Sequence, residues 1–417
     1  MKISWVSKKT KADVVLNKLK AISSVLPDGR VSFGGFEKFQ LDSILFSMID
    51  FHKDYSHATA RSFYSSALNE WILRRTGTAD EFMAELNKLV VSYSKKPLRK
   101  YGAITSVSIA DGFCRSIIRL PNSTVQSFPN GLPKKYAGRE DYYKDWKHSG
   151  SPLPAHYCPV IVRFEARSST DGMDFALDEL DYVRGLHALD LNSAYSTTLG
   201  GGSGSRLPIN SVMLGGMHTL HMPTGENAAG DTYWYDSEYT EIKTANPTDE
   251  KKARVKKFFE QMHEGITAHK DRDILRDAVI RYVRAFDGRD KNYVLQKTWA
   301  ALESILATNE NNTDLVVRRC SFLYSDRDYH RQVLEHIKSY RNRSVHTGRV
   351  LDNPNDQCYQ VQHYFRQALI FHVANARVFV DLKEANGFLD MPDKISELER
   401  KQFLVEKAIN FRQPSKD

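Results

Sequence analysis

The sequence predicts an α+β fold, mainly helical with a β-containing middle region, and three features carry that expectation. Apolar residues recur at helical spacing through the first hundred positions, and they do so again from residue 249 to about 412. Between these spans the texture changes to short runs rich in Val, Ile and Phe, punctuated by Gly, Pro and Asp. A length of 417 residues suits two or three domains with real cores. The chain therefore divides into a helical region 1–100, a β-containing region 101–248, a helical bundle 249–412 and a disordered tail 413–417. The first two regions could together form one sensor or substrate domain.

Composition narrows the class. Hydrophobic content of 41% and charged content of 26% are those of a soluble globular chain. The net charge of +8 fits a polyanionic partner and fits a plain basic protein equally well. Cys114, Cys158, Cys320 and Cys358 are scattered and form no C-x-x-C pair, so they read as reduced thiols of a cytoplasmic protein rather than as a zinc site or disulfide framework. No apolar run has the length of a signal peptide or a membrane span, and no membrane role is expected.

Taken in order, residues 10–26 predict a short amphipathic helix ended by the turn Pro27-Asp28-Gly29. Helices follow over 36–55, over 59–76, and from Thr78 to about Tyr93, the last with Asp80 and Glu81 in its first turn. Strands are expected at 103–109, 114–120 and 159–166, with a final strand at 232–242. Between the second and third of these lies the polar, tyrosine-rich stretch 134–148, read as a surface helix or loop, although its Lys, Arg, Tyr and Trp could also contact RNA. Residues 171–189 predict an acidic amphipathic helix. Its carboxylates Asp174, Asp178, Glu179 and Asp181 lack the strand placement and basic partner of a metal nuclease and read as a solvated face. The glycine-rich tract 200–205 precedes Arg206-Leu207-Pro208 rather than a helix bearing Lys-Ser/Thr, so it reads as a loop and not a phosphate cradle. His218 and His221, three apart in a strand, point to opposite faces and do not suggest a metal pair. Thr244-Ala245-Asn246-Pro247-Thr248 marks the preferred domain boundary. Beyond it, helices over 249–263, 271–286, 293–306 and 313–324, a helix carrying the motif described next, and a long helix over 357–385 describe an antiparallel bundle.

The chemistry is concentrated in residues 338–350, K-S-Y-R-N-R-S-V-H-T-G-R-V. Upstream, Val333, Leu334, Ile337, Tyr340, Ser344 and Val345 fall on one side of a helix, with Asp326 suited to its N-cap and Gly348 to the position past its last turn. Arg341 falls within that apolar stripe, where a permanently charged guanidinium costs free energy unless a partner or a phosphate meets it. Asn342 and His346 lie one turn apart on the adjoining flank, where the amide could hold the imidazole. An arginine fork that grips phosphate beside a ring that moves protons near neutral pH meets two requirements for breaking RNA without a metal.

The segment R-N-R-S-V-H resembles the R-x(4–6)-H signature of the HEPN superfamily. The helices from Leu295 and Val316, followed by the motif helix, resemble in order the Apea-like branch of that superfamily over roughly 271–382. The resemblance implies a C-terminal antiparallel HEPN-type helical bundle and a metal-independent endoribonuclease with no cofactor. It further implies a homodimer with a composite cleft, and a role in anti-phage defence or as a growth-arresting toxin. In this reading RNA is the partner, the front half senses a trigger or selects a substrate, and an inhibitory partner is possible. Arg341, Asn342 and His346 are the candidate catalytic residues, Arg343 and Arg319 candidate RNA contacts, and Glu303 a supporting residue. Five positions along a helix set Arg341 and His346 about 140° apart, so either the last turn unwinds or two chains combine their motifs. The competing reading is a non-catalytic dimerisation or nucleic-acid-binding bundle in which Arg341 pairs with Glu303 and His346 caps a helix end.

Overall fold

The computed structural model describes residues 2–7, 11–51, 55–74, 77–143, 153–192, 207–230, 232–308, 310, 312–347 and 354–413, leaving aside the side chains of Tyr143 and of 344–347. It shows a mixed α+β protein. The glycine-rich tract, much of the tyrosine-rich stretch beyond Tyr143, Gly348 and the final four residues lie outside the described set.

The N-terminal region runs β1 (Ser4–Trp5), α1 (Ala12–Ala21), β2 (Ser23–Val25), β3 (Val31–Phe33), α2 (Glu37–Ser47), β4 (Ile49–Asp50), α3 (His57–Leu73) and α4 (Ala79–Ser94). α3 and α4 match the expected spacing, and Thr78 and Glu81 close a capping box at the start of α4. Two helices are shorter than expected. α1 ends at Ala21 because Ser23–Val25 pairs with Val31–Phe33 in a hairpin, turned at Gly29 with φ 81°. α2 ends at Ser47 because Ile49–Asp50 pairs with Ser4–Trp5. Leu16, Leu19, Leu45, Tyr64, Phe82 and Leu86 centre a core of this region's own.

The middle region runs β5 (Arg99–Val107), β6 (Ile117–Arg119), β7 (Ser123–Ser127), a 3-10 helix (Lys134–Tyr143), β8 (Cys158–Ala166), α5 (Ser169–Leu191), β9 (Met217–His221) and β10 (Trp234–Tyr235). The strands form one antiparallel sheet in the order β10-β9-β5-β8-β7-β6. β7 was not anticipated from its polar sequence, yet it alternates inward Ser123, Val125 and Ser127 with half-buried Thr124 and Gln126. β10 is two residues long, not the strand expected over 232–242.

α5 holds the molecule together. One side meets the sheet, where a Cβ on Gly172 would stand 2.8 Å from Phe164 Cε2. The other meets a bundle helix, where a Cβ on Gly185 would stand 2.6 Å from Val279 Cγ1. Because it is sandwiched, the solvated face expected of its carboxylates is only partly so: Asp178 is exposed and Asp174 half-buried, while Glu179 and Asp181 are buried. Asp181 is buried, accepting from Arg184 Nε at 2.6 Å and from Arg284, while Arg184 forks onto Asp287 at 2.9 and 2.6 Å. Glu179 is buried against Ser123 and Arg276. Burial pushes the Asp181 carboxyl up, but the two arginines outweigh it and hold the group below its usual range.

The remainder is helical: α6 (Asp249–Ala268), α7 (Arg272–Phe286), α8 (Lys291–Leu306), α9 (Thr313–Ser321), α10 (Arg327–Thr347), α11 (Asn355–Ala374), α12 (Leu382–Leu389) and α13 (Ile395–Arg412). α8 is the hub, touching α7, α9, α10, α11 and α12. The helix expected over 357–385 is two. Asn375 closes α11, and the Asp381 side chain accepts from Glu384 N to start α12. The boundary expected at 244–248 separates no cores, since one continuous cluster runs from Val160 and Leu180 through Val279 and Phe286 to Trp299 and Phe365. The described residues of 101–248 and the helices α6 to α12 therefore form one packed body.

Candidate functional site

α10 lies against α9 and α8 through Leu334, Ile337 and Tyr340, all buried, as the periodicity predicts. The Tyr340 hydroxyl donates to Asn292 Oδ1 at 2.6 Å, pinning the second turn from the helix end to the start of α8. One position on, Arg341 emerges at the edge of this stripe with a quarter of its side chain exposed.

The guanidinium is oriented by two neighbours. Nη2 stands 3.7 Å from Glu303 Oε2, and Nη1 donates to Asn342 Oδ1 at 3.0 Å. Glu303 is itself held in place, because Oε1 accepts from Trp299 Nε1 at 2.8 Å, one turn earlier on α8, and the Trp299 ring is fully buried. A relay thus runs from a core tryptophan through a carboxylate to a half-buried arginine. At 3.7 Å the Arg341–Glu303 pair attracts without the short, two-point fork of a strong arginine–carboxylate bond.

The structure places the other candidates as follows. Asn342 lies beside Arg341, its oxygen accepting from the guanidinium; the expected grip of its amide on the imidazole involves the His346 side chain, which lies outside the described residues. Arg343 is exposed. His346 lies in α10, whose helical backbone continues to Thr347, and its side chain is outside the described set. The final turn is therefore not unwound at His346. Its position stays about 140° round the helix from Arg341, as ideal geometry requires.

Arg319 is a correction. Expected to contact RNA, it is buried. Nη1 donates to Leu306 O at 2.6 Å and Glu310 Oε1 at 2.8 Å, while Nε and Nη2 fork onto Asp390 at 2.9 and 2.7 Å. Burial opposes its charge, but the two carboxylates more than compensate and raise its hold on the proton. It clasps α9 to the ends of α8 and α12. The adjacent Arg318, half-exposed, shares Asp390 at 2.6 Å.

His218 and His221 are both buried and separately engaged. His218 Nδ1 pairs with Thr105 Oγ1 at 2.8 Å, and His221 pairs with Gly225 O and Thr219 Oγ1, both at 2.9 Å. Among the described residues no group of three or more His, Cys, Asp or Glu is placed to hold a metal ion, and no helix is long and apolar enough to cross a membrane. Sequence reading missed the buried polar network that joins α5 to α7 and α11. In it Asn192 Nδ2 donates to the Tyr282 hydroxyl at 2.9 Å and to Gln362 Oε1 at 3.1 Å. No local spacing could signal partners 90 and 170 residues apart.

Comparison with family models, with curated proteins and with solved structures finds no match for this chain.

Proposed function

We propose that this protein is a metal-independent endoribonuclease of the HEPN type, with Arg341, Asn342 and His346 of α10 as its catalytic residues. The observation that carries the reading is the relay from Trp299 through Glu303 to Arg341. A cation emerging from an apolar stripe is aimed by a fixed carboxylate and keeps a quarter of its side chain open to solvent, where a phosphate can reach it.

The reaction follows from what RNA supplies. His346 of one copy removes the proton of a ribose 2′-hydroxyl, and the oxygen attacks the adjacent phosphorus. The bond to the 5′-oxygen breaks as that oxygen gains a proton, leaving a 2′,3′-cyclic phosphate and a free 5′-hydroxyl. Arg341 neutralises the charge growing on the phosphate oxygens, and Asn342 keeps its fork in position. Because the helix persists to Thr347, Arg341 and His346 of one chain do not converge, and a cleft built from two copies of α10 supplies both groups. Arg343, exposed on the same helix, adds charge for RNA at the rim. The setting inferred from the motif is anti-phage defence or toxin-like growth arrest.

The ion pair itself favours a second reading, in which Arg341 is a structural partner of Glu303 in a non-catalytic, nucleic-acid-binding bundle. Incubation with end-labelled RNA in EDTA separates the two. Fragments ending in cyclic phosphate that vanish in folded Arg341→Ala and His346→Ala variants support the enzyme. RNA retention without cleavage supports the binding module.

A further inference from the structure

The last helix, α13 (Ile395–Arg412), has no buried residue, although Ile395 is 73% exposed, Leu398 38%, Val405 58% and Ile409 52%. A helix of this length is marginal in water by itself, and helical stability in proteins comes mostly from packing an apolar face. The face needs a cover, and its spacing describes one. Residues 395, 398, 402, 405 and 409 follow intervals of three and four, the a and d positions of a heptad. Ile395 and Ile409 fall at a, Leu398 and Val405 at d, and Gln402 at the inner a position, where a polar residue fixes register at some cost in stability.

The flanking charges choose the partner. Lys394 and Lys401 occupy g, and Glu399 and Glu406 occupy e. In a parallel pair each g residue faces the following e residue of the other strand, which sets Lys394 against Glu399 and Lys401 against Glu406. An antiparallel pair would set lysine against lysine and glutamate against glutamate. From this complementarity we infer that α13 pairs with α13 of a second copy as a parallel two-stranded coiled coil. Three apolar residues lie outside the seam: Phe403, 44% exposed with Arg400 and Lys407 over its ring at 5.2 and 5.4 Å, and Leu404 and Phe411, 50% and 85% exposed. The pairing does not depend on RNA cleavage; it rests on the proposed function only in that α13, and not a separate contact between the two copies of α10, holds the two chains of the cleft together.

Sedimentation of the full chain tests it. Wild type runs at twice the 47.7 kDa chain mass. Two charge-reversed variants, Lys394→Glu with Lys401→Glu and Glu399→Lys with Glu406→Lys, each run as monomers, because every g–e′ contact becomes repulsive. Mixed in equal amounts, they return to the dimer mass. Thermal unfolding of the body is unchanged in both, since α13 buries none of its residues. A wild-type monomer, a wild-type mass of three or four chains, variants that stay dimeric alone, or a mixture that stays monomeric would each overturn the pairing.

Discussion

Arg318 and Arg319 stand side by side in the sequence and differ completely in the fold. Arg319 is buried because Asp390, 71 residues away, and Glu310 close a pocket of carboxylates round it, while Arg318 keeps half its side chain in water. Arg319→Ala leaves Glu310 without this arginine and Asp390 with Arg318 alone. Since both remain partly exposed, the expected cost is about 2 kcal/mol, read as a lowered midpoint in urea with RNA affinity unchanged. An equal loss of RNA binding in the still-folded variant would return Arg319 to the site. Arg341 was legible in advance because a charge on a helix's apolar stripe needs a partner, and Glu303 was its nearest candidate on the W-A-A-L-E helix. The Trp299 bond that fixes Glu303 was not legible, since a tryptophan in a core helix gives no hint of where its N–H points.

At the scale of elements, periodicity found α3, α4, α7 and α8, where one face is buried and, in all but α7, a neighbouring side chain caps the first turn. It found α5 as well, misjudging only how much of its acidic side is covered by contact on two sides, and it overran where a short pairing stopped a helix, as in α1 and α2. The glycines of the helices separate these cases. Gly185→Ala drives a Cβ into Val279, with a side-chain carbon at 2.6 Å and its carbonyl oxygen at 3.1 Å, and should cost about 1–3 kcal/mol. Gly387→Ala, on α12 where a new Cβ meets nothing within 4 Å, should instead stabilise by about 0.5–1 kcal/mol. Paired thermal melts of the two variants decide the matter; a shift of the same sign in both would refute the sandwiched placement of α5.

Across the whole molecule, the sheet, α5 and the bundle share one core, which the loop at 244–248 conceals because a Pro- and Thr-containing connection looks alike within a domain and between domains. Among the described residues five histidines are buried, at 187, 218, 221, 269 and 372, and three of them on separate elements are shifted furthest. Burial pushes His187 and His218 down to about 4 and His372 to about 3, with His269 adding to the effect on His372 and Arg139 to that on His218. Each stays neutral in the folded chain while the unfolded chain takes up a proton below about pH 6.5. The unfolded state therefore binds more protons, and stability falls as pH drops from about 6.5 towards 4, with the depressed Asp181 carboxyl adding to the loss at the acid end. Neither ring nitrogen of His372 has a hydrogen-bond partner among the described residues, so His372→Leu removes one titrating group without stranding another. Urea midpoints of this variant should decline less steeply than wild type over that window; an identical slope would contradict the assignment.

Cleavage of a defined RNA in EDTA tests the chemistry proposed for α10. Wild type should leave 2′,3′-cyclic phosphate and 5′-hydroxyl ends, lost by at least about a hundredfold in Arg341→Ala and His346→Ala chains that melt as wild type does. Uncut RNA with wild-type protein, or cutting undiminished in both variants, would contradict it.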